Sequence, residues 1–261
     1  GNGWFQLYVS SNADVTEGLI ARAEAAGYTT LMVTADVPAA GKRDRDIRNQ
    51  LAVPFRFTPE VVLQCVANPI WALTSLRHGT PNVANYANLL KSATSYAEVQ
   101  KTLITPGFTW EHLKHLRDRW KGKLLVKGIL HPQDAANCVE IGCDGIVVSN
   151  HGGRQIAFGP PSIEALPAIA ETVAGRMKII LDSGIRRGAD TLRAKALGAD
   201  FTFAGRAFAY GVGAGGEIGA RRSFEILYLE LVRALGQLGI PSYDAIGATE
   251  LSKSNGSRRL G

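Results

Sequence analysis

The sequence predicts an α/β fold in which parallel strands alternate with helices, and three observations carry that expectation. Apolar runs at residues 29–36 (TTLMVTAD), 124–128 (LLVKG), 145–148 (GIVV) and 178–184 (KIILDSG) have the length and continuity of buried parallel strands. Segments of helical period separate them, as βαβ units require. The loops beyond the runs carry glycine, proline and charged residues, and the C-terminal ends of strands are where a parallel barrel presents its chemistry. The stretch that organises the rest is 149–155 (SNHGGRQ), which directly follows the run 145–148.

At 261 residues and 46% hydrophobic content the chain can bury one large core, so a single domain over 1–261 is expected. The formal charge of +6 comes from dispersed basic residues with no nucleic-acid-binding motif. Attraction to small anions such as phosphates and carboxylates fits better, with anionic lipid as a second partner. Cys65, Cys138 and Cys143 make no metal-ligand pattern, and an odd count argues against a disulfide framework, so a reducing, cytoplasmic compartment fits. No run approaches the roughly 18 apolar residues of a membrane span. The sequence opens at Gly1-Asn2-Gly3 and enters a strand almost at once, which raises the expectation of a region upstream.

Residues 4–9 (WFQLYV) read as the first strand, with Gln6 and Tyr8 on one face. A helix follows in which Asp14 and Glu17 make a capping-box-like pair, Leu19, Ile20, Ala23 and Ala26 recur at helical spacing, and Gly27 stops it. Residues 29–36 complete a βαβ unit. The grammar resumes at 124–128, a strand carrying the lone Lys127, then a helix opened by Pro132 and closed by Gly142, then 145–148. Ser162 caps a helix reaching Gly175, 178–184 is a further strand, 188–198 holds a short helix, and 200–206 (DFTFAGR) is the last strand. After Glu217 a long amphipathic helix sets Phe224, Leu227, Tyr228, Leu231, Leu235 and Leu238 on one stripe. Six strands result. A closed barrel of this type needs about eight, so the pattern fits either an open doubly wound sheet or a barrel with two units upstream.

Between 38 and 123 the alternation breaks, and a stretch this long without strand signals reads as an insertion. It is charged early, polar late, and mixed apolar over 61–76, where Val62, Cys65, Val66, Ile70, Trp71 and Leu73 suit an interfacial amphipathic patch or a packing face against the barrel or another subunit.

Four constellations carry chemistry. Residues 182–188 (DSGIRRG) and 204–207 (AGRA) place glycine and arginine after the last two strands, where a backbone cradle and a guanidinium hold a phosphate. His151, in a glycine-rich loop, has a side chain suited to general-base work, with Asp36 as the orienting carboxylate. Arg43 and Arg154 together suit a substrate carboxylate, although Arg43 alone, in a charged run, reads as a solvated face. Lys127, a charge within an apolar strand, faces either a ligand or a carboxylate such as Asp182. His78, His112, His115 and His131 read as ordinary structural histidines.

Taken together, WFQLYV, TAD followed by GKRDRD, LLVKGI, SNHGGRQ, LDSGIRRG and AGRA resemble the FMN-dependent 2-hydroxy acid oxidases and dehydrogenases: glycolate oxidase, L-lactate dehydrogenase and mandelate dehydrogenase. The long insertion and its RHG (77–79) are closer to the mandelate and lactate dehydrogenases. The resemblance implies a TIM (β/α)8 barrel, about six of whose strands are in this chain, with FMN at its C-terminal mouth. It also implies a homo-oligomer, a tetramer in many members. By the same resemblance His151 is the base, paired with Asp36, while Arg43 and Arg154 hold the substrate carboxylate and Tyr8 bonds the reacting hydroxyl. Lys127 would lie near the flavin pyrimidine, Gln6, Thr34 and Ser149 against its ring, Asp182 on the ribityl chain, and Gly184, Arg186, Gly205 and Arg206 at the phosphate. Two places depart from the pattern: Ser183 stands where many members have glycine, and Ile156-Ala157-Phe158 replaces a Leu-Asp-containing stretch. The family's N-terminal region, with the first two strands and a substrate tyrosine, has no counterpart in these residues.

The expected activity is oxidation of an (S)-2-hydroxy acid, mandelate- or lactate-like, to the 2-oxo acid, with electrons passing to FMN and then to a quinone chain or oxygen. The rivals are an FMN-barrel isomerase without net redox and a non-catalytic scaffold. Peripheral membrane contact through the insertion is a further expectation.

Overall fold

The central strands form from runs dominated by leucine and β-branched residues, and every neighbouring pair runs parallel. The computed structural model describes residues 3–39, 41, 44, 48, 58–79, 84–86, 107–156 and 158–247. Among them one sheet holds β1 (Phe5–Tyr8), β2 (Thr30–Thr34), β3 (Lys123–Ile129), β4 (Gly145–Val148), β5 (Lys178–Leu181) and β6 (Phe201–Thr202). Strand order equals chain order, β1-β2-β3-β4-β5-β6. That winding is a barrel's, since a doubly wound sheet reverses at a switch point. The sheet curls until Trp4, before β1, meets Phe203, after β6, edge to face at 5.5 Å between ring centroids.

Helices α1 (Ala13–Ala25), α4 (Trp110–Arg119), α5 (Pro132–Glu140), α6 (Ser162–Val173) and α7 (Gly188–Ala196) connect successive strands; α2 (Pro59–Ala67) and α3 (Pro69–His78) lie between β2 and α4, and α8 (Arg206–Leu238) follows β6. Because side chains alternate along a strand, the sheet has two inner layers. Leu31, Val33, Leu124, Val126, Ile146, Val148, Ile179 and Leu181 face the helices and join Leu19, Ile20, Leu113, Leu116, Trp120, Leu166 and Ile169 in the main core. Met32, Leu125, Val147 and Ile180 form a smaller concave cluster, with Phe203 against it. Two residues further along the same strand faces stand Thr34, Lys127, Ser149 and Asp182, so the polar site is the next layer of that concave face.

At the opposite end, acidic residues clip neighbouring strands together. Asp144 accepts from Lys123 Nζ at 2.7 Å, Arg117 Nη1 at 2.9 Å and Leu124 N–H at 3.0 Å. Asp200 repeats the pattern with Lys178 Nζ at 2.8 Å and Ile179 N–H at 2.9 Å. Nearby, the thiols of Cys138 and Cys143 are buried, and their mutual interaction pushes the first thiol's pKa up and the second's down.

Several local expectations are corrected. Helix α1 is capped by Asn12, whose side chain accepts from Asp14 N–H at 2.9 Å with the backbone extended; Glu17 instead pairs with Arg119 at 3.0 Å, pinning α1 to α4. Ser162 is not a cap: it is the first helical residue, and its Oγ donates to the carbonyl oxygens of Asp182 at 2.6 Å and Ser183 at 3.1 Å. The last strand is only two residues long, because Gly205 already turns into α8. Helix α8 is itself two helices hinged at Gly215 and Gly216. They fold so closely that a Cβ on Gly211 would meet Gly219 O at 2.4 Å. Of its predicted stripe, Leu231 and Leu235 pack on Leu192, Ala196 and Ile246, while Phe224 and Tyr228 stack on each other at 6.0 Å and remain exposed.

Candidate active site

The loop after β4 makes an uncommon turn: His151, Gly152 and Gly153 follow one another at φ 57°, 68° and 72°. Two glycines make two of those positions free of steric cost; the histidine between them and the strand does not enjoy that freedom. Side-chain oxygens hold all three amides. His151 N–H donates to Ser149 Oγ at 3.1 Å, Gly152 N–H to Ser183 Oγ at 2.9 Å, and Gly153 N–H to Asn150 Oδ1 at 3.1 Å. The turn projects the imidazole back over the concave face.

There, His151 Nδ1 lies 3.1 Å from both carboxylate oxygens of Asp36, two residues past the end of β2. Asp36 reaches this position because β3 bulges at Gly128, where the backbone has φ 103° and the register shifts between Lys127 and Ile129. Lys127, 8% exposed, donates to Ser149 Oγ at 2.9 Å and stands 3.4 Å from Asp182 and 3.9 Å from Asp36. The ion pair with Asp182 is the one the sequence reading offered, and it lies in the polar layer of the concave face. One lysine, two carboxylates and an imidazole thus share one buried polar layer, and Asp36 fixes the ring through Nδ1, an arrangement suited to acid–base chemistry at Nε2.

Around this cluster, Gln6 Nε2 donates to Thr34 Oγ1 at 2.8 Å and reaches Tyr8 Oη at 3.5 Å, so Gln6, Tyr8 and Thr34 form a second polar group on β1 and β2. Gly184 has φ 100°, and a Cβ on Gly184 or Gly205 would meet no atom within 4 Å. The backbone at the heads of α7 and α8 is thus open to an incoming anion. Arg186 lies over the Tyr210 ring at 5.9 Å. Arg206 donates from Nη2 to Gly152 O, and a Cβ at 152 would sit 2.7 Å from the same nitrogen, so a larger residue there would displace the guanidinium. Arg154 is exposed at the end of the β4 loop and is not drawn into the buried cluster; Arg43 lies outside the described residues.

Three supporting residues escaped the sequence reading. Gly128 was visible as the glycine after a strand lysine, a signal for a bulge. Ser183 stood out only as a departure, and Asn150 only as part of SNHGGRQ. Among the described residues no cluster of His, Cys, Asp and Glu could hold a metal.

Comparisons with known proteins agree with this geometry. A family model described as FMN-dependent dehydrogenase matches residues 1–253. An (S)-mandelate dehydrogenase of Pseudomonas putida is 40% identical over 251 residues, covering 94% of this chain and 62% of that protein. An L-lactate dehydrogenase of Pseudomonas paraeruginosa is 40% identical over 258 residues, covering 97% of this chain and 68% of its own length. The chain thus spans somewhat under or about two thirds of these relatives. The crystal structure of a monotopic membrane protein, (S)-mandelate dehydrogenase, superimposes with a TM-score of 0.92 at 37% identity, covering 97% of this chain and 68% of the other. With six consecutive parallel strands and the His151–Asp36–Lys127 cluster at their C-terminal ends, the chain belongs to the FMN-dependent dehydrogenase family.

Proposed function

We infer that this chain carries the catalytic face of an FMN-dependent oxidation of an (S)-2-hydroxy acid, mandelate- or lactate-like, to the 2-oxo acid. The His151–Asp36 pair, beside Lys127 in one buried polar layer, is the observation that carries this reading. The residues present fit FMN by the chemistry of their donors. Open backbone at Gly184 and Gly205, with Arg186 and Arg206 nearby, suits the phosphate; Asp182 suits a ribityl hydroxyl; Gln6, Thr34, Ser149 and Lys127 suit the polar edge of the ring. Bound there, FMN would supply the two-electron acceptor.

The chain's own residues do the rest. Arg43 and Arg154 hold the substrate carboxylate, Tyr8 bonds the hydroxyl at the reacting carbon, and His151 Nε2 accepts a proton while Asp36 fixes the ring through Nδ1. Lys127 keeps a positive charge at the site, which favours negative charge developing nearby. Electrons leave to a quinone of a membrane chain or to oxygen; relatives of both sorts exist, dehydrogenases and a mandelate oxidase matching at a TM-score of 0.74.

The protein loaded with FMN should bleach anaerobically on adding mandelate or lactate, and His151→Ala should slow that reduction by about 10²–10⁴-fold. A variant that reduces at the parent rate sinks the assignment. Timed addition of oxygen or a quinone analogue to the reduced protein identifies the acceptor. Flavin that is bound but never reduced by any 2-hydroxy acid would favour an isomerase without net redox, and a protein that takes up no FMN a scaffold.

Among the described residues no helix is long and apolar enough to cross a membrane. Helices α2 and α3 expose Leu63, Val66, Ile70, Trp71, Leu73 and Leu76, which supports peripheral contact with the inner face of the cell membrane. The exposed Phe224–Tyr228 stack on α8 supports assembly as a homo-oligomer, with the tetramer as the form the resemblance suggests.

A further inference from the structure

The amide of Gly152 is held from outside its own loop. The flanking amides of His151 and Gly153 are held by Ser149 and Asn150, which belong to the same loop, whereas Gly152 N–H reaches across to Ser183 Oγ at 2.9 Å. Ser183 in turn donates to Asp182 Oδ1 at 2.7 Å, and Asp182 Oδ2 stands 3.4 Å from Lys127 Nζ. One hydroxyl therefore joins the loop after β4 to the carboxylate after β5 and, through it, to the buried cation. The carbonyl of Gly152 is held as well, by Arg206.

The backbone of Ser183 makes this link notable. It sits at φ 70°, a conformation glycine adopts freely and serine only at a cost. Glycine would keep the turn and lose nothing but the hydroxyl. A side chain retained against its own backbone preference is one whose contacts over-determine the position.

We propose that Ser183 is a positioning residue for the 2-hydroxy acid oxidation: its hydroxyl fixes Gly152, and with it the ring of His151, relative to Asp182 and Lys127. This rests on the functional reading above. The Ser183 hydroxyl bonds Gly152 and Asp182 rather than His151 or Asp36; it acts through the histidine loop, so its removal should lower the rate of the chemical step and leave binding in place.

The test uses Ser183→Gly, which also relieves the backbone, beside Ser183→Ala. In the FMN-loaded protein, single-turnover reduction by a 2-hydroxy acid should slow by about tenfold in both, the worth of a hydrogen bond in a charged network. KM and the FMN dissociation constant should each change by less than about 1.5-fold, a small part of that tenfold effect. In protein without FMN, hydrogen exchange at the Gly152 amide should quicken by about tenfold in both variants, because that amide loses its acceptor. Parent-like reduction rates, or unchanged Gly152 exchange, would overturn the proposal. A loss confined to FMN affinity would also overturn it, and would make Ser183 a phosphate-loop residue instead. If the parent protein itself is reduced by no 2-hydroxy acid, the functional reading fails and the positioning role with it, while the exchange measurement still decides whether the tether exists.

Discussion

A Cβ placed on Gly128 would lie 2.4 Å from Cβ of Asp36, so the bulge in β3 and the carboxylate that holds His151 occupy one fitted space. The glycine meets two demands at once: φ 103°, which an L side chain resists, and a backbone approach that leaves no room for a methyl group. Lys127, its neighbour in β3, then faces the same carboxylate at 3.9 Å.

Gly128→Ala should therefore damage stability and chemistry together. Backbone strain and the forced displacement of Asp36 should cost about 2–4 kcal/mol, the range of strain and overpacking effects. Shifting Asp36 by even an ångström would release the imidazole and slow flavin reduction by about 10²-fold. Denaturant unfolding and single-turnover kinetics on the same preparation check both halves. A variant that is destabilised yet fully active would mean that Asp36 does not orient His151.

The clip at the other end of the barrel sets an acid limit on the fold. Burial raises the pKa of Asp144, but hydrogen bonds from Lys123, Leu124 N–H and Arg117 outweigh it and hold the carboxyl below its ordinary 3.8. A carboxylate depressed in the folded state contributes stability that is complete above the unfolded pKa and disappears as pH falls through the folded one. Asp144→Asn should thus cost about 1–3 kcal/mol at pH near 7, the worth of hydrogen bonds to a charged group. The gap between variant and parent should close as pH falls below about 4, where the unfolded-state carboxyl takes up its proton. Urea titrations across that range check the sign; a gap that stays constant down to low pH would remove Asp144 from the account.

How far the sequence reveals all this depends on the distance over which each feature is decided. Strands β2, β4 and β5 are readable because unbroken apolar runs have no other good use at that length, and their serial pairing follows from the helices between them. Asp36 and His151 are readable as a pair because both stand just past strand ends, which a barrel brings to one rim. The tether to Ser183 is not: it needs the relative placement of two loops 31 residues apart and a left-handed serine, neither of which leaves a pattern. The hinge in α8 is hidden for the opposite reason. Residues 211–216 (GVGAGG) are glycine-rich, but the helical stripe beyond them masks a break that the close Gly211–Gly219 approach reveals. At the start of α1 the Asp14–Glu17 pattern drew attention two residues past the true cap, Asn12, whose extended backbone and side-chain bond to Asp14 N–H only the structure reveals.

The exposed face of α2 and α3 carries the last prediction. Ile70 is 83% exposed and Leu76 82%, far more than isolated surface residues of their kind require, with Leu63, Val66, Trp71 and Leu73 exposed alongside them. Arg77 and His78 end α3, which places a cationic side chain beside the apolar ones, as a helix lying on anionic lipid requires. Burying a leucine or isoleucine side chain is worth about 1.5–3 kcal/mol, so losing two of them, and adding two negative charges, should weaken binding by at least about 10²-fold. Ile70→Glu combined with Leu76→Glu should accordingly release the protein from vesicles of anionic phospholipid in a sedimentation assay, while anaerobic flavin reduction by mandelate or lactate stays at the parent rate. If the parent protein does not sediment with such vesicles, the lipid reading is wrong. A variant whose vesicle binding is intact but whose mass in solution falls would assign this face to contacts between copies of the chain instead.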